Sequence, residues 1–250
     1  MSKLKTGILY TGGFLLLYVL FVVVLAPANK LIALIELPQG IALHDVQGSV
    51  WSGRAKTMST QNYEVDNVDW RLSPVSLLTG SPSADVEFGR SPKSGPTGNL
   101  TIANEQSHVG FSDGKIQIDA AQVLSLLTLP VDMQASGLVT VDINKFTTGK
   151  QLCSEVDGQI RWQQAGIMAM NENIALGEFN GLLSCENNSL AITLDPNNDL
   201  GLELSIYIRE RGRIAAQGYI TPGEKFPAQA RPILDFLGPK DAQGRYRIRI

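Results

Sequence analysis

Tyr63-Glu64-Val65-Asp66-Asn67-Val68-Asp69-Trp70-Arg71-Leu72 reads as a β-strand in two phases. Tyr63 and Val65 share one phase, and Val68, Trp70 and Leu72 share the other. Alternating β-branched and aromatic residues mark a half-buried strand. The change of phase across Asp66-Asn67 predicts a bulge or a break. Upstream, Ile41-Ala42-Leu43-His44-Asp45-Val46 runs into Gly48-Ser49-Val50-Trp51-Ser52-Gly53-Arg54-Ala55 with the same alternation. Downstream, Asp85-Val86-Glu87-Phe88 and Asn99-Leu100-Thr101-Ile102-Ala103 repeat it across a Pro/Gly/Ser loop at 91–98. Two hairpins are predicted. One turns at Asp113-Gly114, between strands at 108–111 and 115–118. The other turns at Glu210-Arg211-Gly212, between 201–208 and 213–220. The closing Arg245-Tyr246-Arg247-Ile248-Arg249-Ile250 alternates strictly, with three arginines on one face.

Helices are few. Residues 73–80 carry a capping Ser73, Pro74 at the first helical position and a closing Gly80, which predicts one or two turns. Residues 119–127 begin at a capping Asp119 and follow a helical apolar stripe. Residues 231–239 place Pro232 early and Gly238-Pro239 late. The expected fold is mainly β: an antiparallel, curved sheet with a few short helices. Val46-Gln47-Gly48-Ser49-Val50-Trp51 is echoed by Val156-Asp157-Gly158-Gln159-Ile160-Arg161-Trp162. The echo marks two related halves, 38–147 and 148–250, or is a chance likeness between two strand openings.

The start of the chain has another character. Residues 7–26 contain no charge, and Lys3 and Lys5 precede them. A run of about 20 apolar residues is long enough to cross a bilayer as a helix. Basic flanks tend to stay in the cytoplasm. The expected plan is a cytoplasmic stub at 1–6, a single transmembrane helix at 7–26, a juxtamembrane helical extension at 27–37 and a periplasmic β domain at 38–250. The alternative is a cleaved signal peptide, because Ala26-Pro27-Ala28 imitates a cleavage site. Against cleavage stand the length of the apolar run and the helical look of the residues that follow it.

Composition narrows the function. The formal net charge is −3 and no basic run exists, so nucleic acid is excluded as an expected partner. Cys153 and Cys185 fall in the exported part, where two thiols usually pair. Such a link is worth about 3–4 kcal/mol in the chain-entropy treatment. Two buried free thiols are the other reading, and a metal site a remote third.

No catalytic pattern emerges. The chain lacks a Gly-x-Ser-x-Gly elbow, a phosphate loop, a dinucleotide fingerprint and a His-Glu-x-x-His pair. His44 and His108 are its two histidines. Asp66 with Asp69, or Glu64 with Asp66, form an imaginable acid–base pair, although solvated strand faces are the simpler account. Trp51, Trp70 and Trp162 each sit in an alternating strand, where core packing is the default role. No cofactor is expected, and binding or scaffolding is favoured over catalysis.

Taken in order, these segments resemble the general secretion pathway protein N (GspN) family of bacterial type II secretion systems. The resemblance rests on the basic stub and apolar run, Leu37-Pro38, and Gly48-Ser49-Val50-Trp51-Ser52-Gly53-Arg54-Ala55. It continues through Trp70-Arg71-Leu72-Ser73-Pro74, Cys153 with Gly158 and Trp162, Gly181-Leu182-Leu183-Ser184-Cys185, and Gly238-Pro239 to Gly244-Arg245-Tyr246. It implies a single-pass inner-membrane protein with a periplasmic β domain. That protein would be a non-catalytic accessory of the machine that exports folded proteins across the outer membrane. Its implied contacts are other inner-membrane and periplasm-spanning components, with membrane lipid around residues 7–26. Gly48, Trp51, Gly53, Arg54, Trp70, Trp162, Gly244 and Tyr246 carry the pattern as structural positions. A second expectation is a membrane-tethered, lipid-binding or lipid-bridging β module, which a continuous apolar sheet face would favour.

Overall fold

A computed structural model describes residues 2–32, 40–60, 63–105, 108–125, 133–149, 152–169 and 172–249. Helix α1 runs over Ser2–Val24 and a short α2 over Ala28–Ile32. The strands follow: β1 Ala42–His44, β2 Gln47–Gly48, β3 Ser52–Ser59, β4 Glu64–Leu72, β5 Ser83–Phe88, β6 Thr97–Glu105, β7 His108–Asp119, β8 Gln134–Thr148, β9 Cys153–Ala169, β10 Glu172–Glu186, β11 Ser189–Leu194, β12 Leu202–Ile208, β13 Ile214–Ile220 and β14 Tyr246–Arg249. Helix α3, Pro74–Leu78, sits between β4 and β5, and α4, Ala120–Ser125, follows β7. A 3-10 helix over Ala228–Leu237 precedes β14.

The fourteen strands form one sheet, every pair antiparallel. The order follows the chain from β3 to β14, with β1 and β2 both beside β3. Short connections between successive strands favour such a meander. A sheet this wide is beyond the usual number of strands and must coil through its own twist.

The two faces differ in chemistry across nearly the whole sheet. Directly paired residues lie on one face. One row of cross-strand partners runs Ala55, Val68, Phe88, Gly98, Ile116, Val141, Ile160, Gly181 and Leu194. The neighbouring row runs Arg54, Asp69, Glu87, Asn99, Lys115, Asp142, Gln159, Leu182, Thr193, Ser205, Gln217 and Arg249. The first row is apolar throughout. The second is polar except at Leu182, which is exposed. Side chains therefore sort by pleat phase, as period-two patterning requires.

The apolar face is buried at its two ends. Ala55, Val65 and Val68 form one cluster, flanked by Leu43, Val46, Met58, Trp70, Val86 and Phe88. Ile174, Leu176 and Phe179 form the other, covered by Phe226, Ala230 and Leu234 from around the 3-10 helix. Trp162 stacks on Phe179 there, with ring centroids 5.6 Å apart. Between the clusters, Leu100, Ile116 and Val141 are only half-buried. Cys153, fully buried at the start of β9, is bonded to Cys185 near the end of β10, with Cα atoms 6.0 Å apart.

Several expectations are corrected. No hairpin turns at Asp113-Gly114. β7 runs straight through, and the reversal comes between Glu105 and His108. Asp113 takes φ +50° and the β6–β7 register shifts between Asn99 and Thr101. A bulge of the kind seen here and a type I′ hairpin turn both take a residue of positive φ, and Asp-Gly serves either. The stretch 48–55 is not one strand, because a tight turn at Ser49–Ser52 separates β2 from β3. The break at Asp66-Asn67 is present in another form. Asn67 takes φ +48° and Val65 and Val68 are both buried, yet the β3–β4 register is the same on either side. The helical extension at 27–37 is interrupted. α1 ends at Val24 and helix resumes only at Ala28, since Pro27 offers no N–H and disfavours helical backbone at Ala26. Its continuation past Ile32, and Leu37-Pro38, lie outside the described residues, as does the end of the helix expected at 119–127.

The side chains of α1 are described at 12–19 and 21–24. Among the described residues, no helix is long and apolar enough to cross a membrane.

Candidate functional site

The turn between β2 and β3 organises the residues singled out in 48–55. Gly48 takes φ +89°, and a Cβ there would come within 2.6 Å of the Ser52 carbonyl oxygen. Ser49 N–H donates to the Ser52 carbonyl at 2.9 Å, and Ser52 N–H donates to the Ser49 hydroxyl oxygen at 3.2 Å. Val50 and Trp51 become the tip of a tight hairpin.

That tip holds the end of α1. Trp51 Nε1–H donates to the Val23 carbonyl oxygen at 2.8 Å. Val50 N–H donates to the Ala26 carbonyl at 3.1 Å. Pro27 forms a β-bridge with Ser49, and Ala28 is fully buried. The final carbonyls of a helix have no partner within it, so the hairpin tip supplies donors where the helix ends.

The tip is held from below by β4. Trp70 Nε1–H donates to the Val50 carbonyl at 3.1 Å, and Leu72 N–H donates to the Trp51 carbonyl at 2.8 Å. Gly53 lies against the six-membered ring of Trp70, leaving no room for a Cβ. Arg54 Nε bonds Asp69 Oδ1 at 2.6 Å. The hydrogen bond first, and the charge of Asp69 second, raise the guanidinium pKa above its ordinary value. Gly48, Trp51, Gly53, Arg54 and Trp70 thus converge on one structural unit.

The remaining candidates lie away from this unit, Trp162 on β9, Gly244 just before β14 and Tyr246 at its start. Trp162 Nε1–H donates to the Ser136 carbonyl at 3.0 Å. Gly244, at φ +77°, closes a turn in which Asp241 accepts from the Gln243 and Arg245 main chains, each at 2.9 Å. Tyr246 packs against the second apolar cluster. These two groups and the Cys153–Cys185 bridge are separate in the fold.

The imagined acid–base residues Glu64, Asp66 and Asp69 all lie on β4. Asp69 is engaged by Arg54, and Asp66 pairs with Thr57 along the strand. His44 is engaged with the Ser59 hydroxyl at 3.0 Å. Among the described residues no three His, Cys, Asp or Glu are grouped to hold a metal. A groove of about 460 Å³ is lined by Glu186, Tyr207, Arg209, Gln217 and Arg249. Another of about 460 Å³ surrounds Arg161 and Asn180. Neither lining holds a histidine or a cysteine. The unit around Trp51 joins the end of α1 to the sheet.

Reading the tryptophans as core residues missed the role of Trp51. The available signal was a tryptophan between Gly48 and Gly53, where a strand core offers fewer glycines.

Comparison with known proteins supplies the family. A family model described as "Type II secretion system (T2SS), protein N" matches residues 39–249. The chain is 26% identical to "Type II secretion system protein N" of Vibrio cholerae serotype O1 over 226 residues, covering 90% of each chain. It is 26% identical to the protein of that name from Aeromonas hydrophila over 250 residues, covering 98% of each. The counterpart in Pectobacterium carotovorum subsp. carotovorum is 25% identical over 243 residues, covering 97% of this chain and 95% of that one. No solved structure matches.

Proposed function

Because this chain belongs to the type II secretion system protein N family, we propose that it is a non-catalytic accessory component of that apparatus, tethered to the cell inner membrane. Residues 7–26 span the bilayer once, with the N-terminus cytoplasmic and the sheet periplasmic. The body supports export of folded proteins from the periplasm across the outer membrane. Its partners are other inner-membrane and periplasm-spanning components of the machine.

The observation that carries this reading is the junction at Trp51. A body that only needed tethering would require a loose linker. Here the hairpin tip holds the end of α1 through Val23 and Ala26, so the body has a set position relative to the helix. In support of the span, the charge-free part of α1 at 7–24 is about 27 Å long at 1.5 Å per residue, against a hydrocarbon core of about 30 Å. Phe14, Leu15, Leu16 and Leu17 are exposed on it. Tethering raises the effective concentration of the body toward other membrane components.

Deletion of the gene, with secretion measured alongside crosslinking from the sheet in native membranes, tests the proposal. Reduced secretion and crosslinks to apparatus subunits are expected. Unchanged secretion together with no such crosslink overturns it.

A second reading, a lipid-binding or lipid-bridging module, is favoured by the apolar row across the sheet and by its half-buried middle around Leu100, Ile116 and Val141. Native mass spectrometry of the purified protein would show bound lipid if it holds.

A further inference from the structure

Helix α3 is an apolar knob linked to the end of α1 through Trp51. Leu72 N–H donates to the Trp51 carbonyl at 2.8 Å, and the indole of the same tryptophan donates to Val23 in the last turn of α1. Two positions past Leu72, α3 begins. The chain therefore passes from the end of α1 to the start of α3 through one tryptophan.

The polar groups of α3 are turned onto its own backbone. The Ser73 hydroxyl accepts from Ser76 N–H at 3.3 Å. The Ser76 hydroxyl donates to the Ser73 carbonyl at 2.7 Å and accepts from Ser83 N–H at 2.9 Å. The Thr79 hydroxyl donates to the Ser76 carbonyl at 3.0 Å. What remains outward is apolar: Val75 is 68% exposed, Leu77 41% and Leu78 89%. No residue from 72 to 84 is charged. Asn104 N–H donates to the Pro82 carbonyl at 3.0 Å, and its strand partner Val109 adds another exposed apolar side chain next to the knob.

One exposed leucine is ordinary on a soluble surface. A valine and two leucines exposed on a single turn, within a charge-free segment, are not. A five-residue helix does not persist in water by its own propensity, yet this one is capped and kept with no buried residue of its own. The segment has no charge with which to select a protein by ion pairing. Apolar side chains held next to a bilayer surface are stabilised by burial at the headgroup–acyl boundary, in proportion to the apolar area they bury.

We propose that α3 is an interfacial foot. Val75, Leu77 and Leu78 insert into the bilayer leaflet from which α1 emerges, giving the sheet a second attachment that stops it swivelling about the helix. This rests on the membrane span proposed for α1.

The test uses the full chain reconstituted in vesicles of phosphatidylethanolamine and phosphatidylglycerol. An environment-sensitive fluorophore is placed singly at Leu78→Cys, at Leu17→Cys in α1, and at Lys115→Cys on the polar sheet face. The foot predicts blue-shifted emission at 78 and 17, quenched by acyl-chain nitroxide, with 115 quenched only by aqueous iodide. Iodide quenching at 78 with lipid quenching retained at 17 overturns the foot alone. Iodide quenching at both 17 and 78 overturns the span and the foot together. A label at 78 that is quenched by nitroxide in no preparation, while a photocrosslinker there captures a protein in native membranes, overturns the foot in favour of a protein contact.

Discussion

The indole nitrogen of Trp51 reaches the main-chain carbonyl of Val23 at 2.8 Å, across 28 positions of sequence. Replacing the donor without losing the ring isolates this bond. Trp51→Phe is expected to cost about 1 kcal/mol, the usual net worth of one hydrogen bond. Limited proteolysis should then cut faster at 24–29, while Trp51→Ala, which also loses packing, should cut faster still.

Gly53 is the second handle on the same unit. In Gly53→Ala the new Cβ meets Trp70 Cε2 at 2.7 Å and the Gln47 carbonyl oxygen at 2.8 Å. Overpacking of this kind costs about 1–3 kcal/mol. Pairing it with Trp70→Leu should recover part of the loss, because contacting residues are not additive. Denaturant midpoints of the two single variants and the double variant decide this.

Cys153→Ser with Cys185→Ser removes the bridge between β9 and β10. A loss of about 3–4 kcal/mol is expected. Urea unfolding of the wild type with reductant should reproduce it, and the double variant should show no further response to reductant.

Phe179 is buried beneath Trp162 and the 3-10 helix. Phe179→Ala should cost about 3–5 kcal/mol. Tryptophan fluorescence should change with it, since the stacked partner is lost.

Asp241 titrates with a pKa below its ordinary value near 3.8, chiefly because its carboxylate accepts the Arg245 main-chain N–H. A depressed folded pKa means stabilisation that is present above the unfolded value and lost as pH falls through the folded one. The Arg245 amide resonance should therefore move only below about pH 4. In Asp241→Asn that pH response should vanish.

Much of the sheet was legible in the residues. The strands around Trp70, Leu100 and Ile206 follow from period two, and Ser73-Pro74 with Gly80 announced α3 and its cap, because these signals are local. Asp113-Gly114 was not decidable in the same way. Its positive φ suits a turn or a bulge equally, and only pairing with both β6 and β8 selects the bulge. The site was less legible still. Gly48, Trp51, Gly53, Arg54 and Trp70 stood out singly, but their convergence needs β2, β3 and β4 in register.

By itself, the sequence determined the alternation of the strands, the caps of α3 and the charge-free runs at 6–29 and 72–84, since each depends on neighbours within a turn or a pleat. Only the tertiary structure decided that Trp51 meets Val23, that Gly53 faces Trp70 and that the polar and apolar rows line up from β3 onward. Those relationships join residues whose meeting depends on register, and register is settled by the whole sheet.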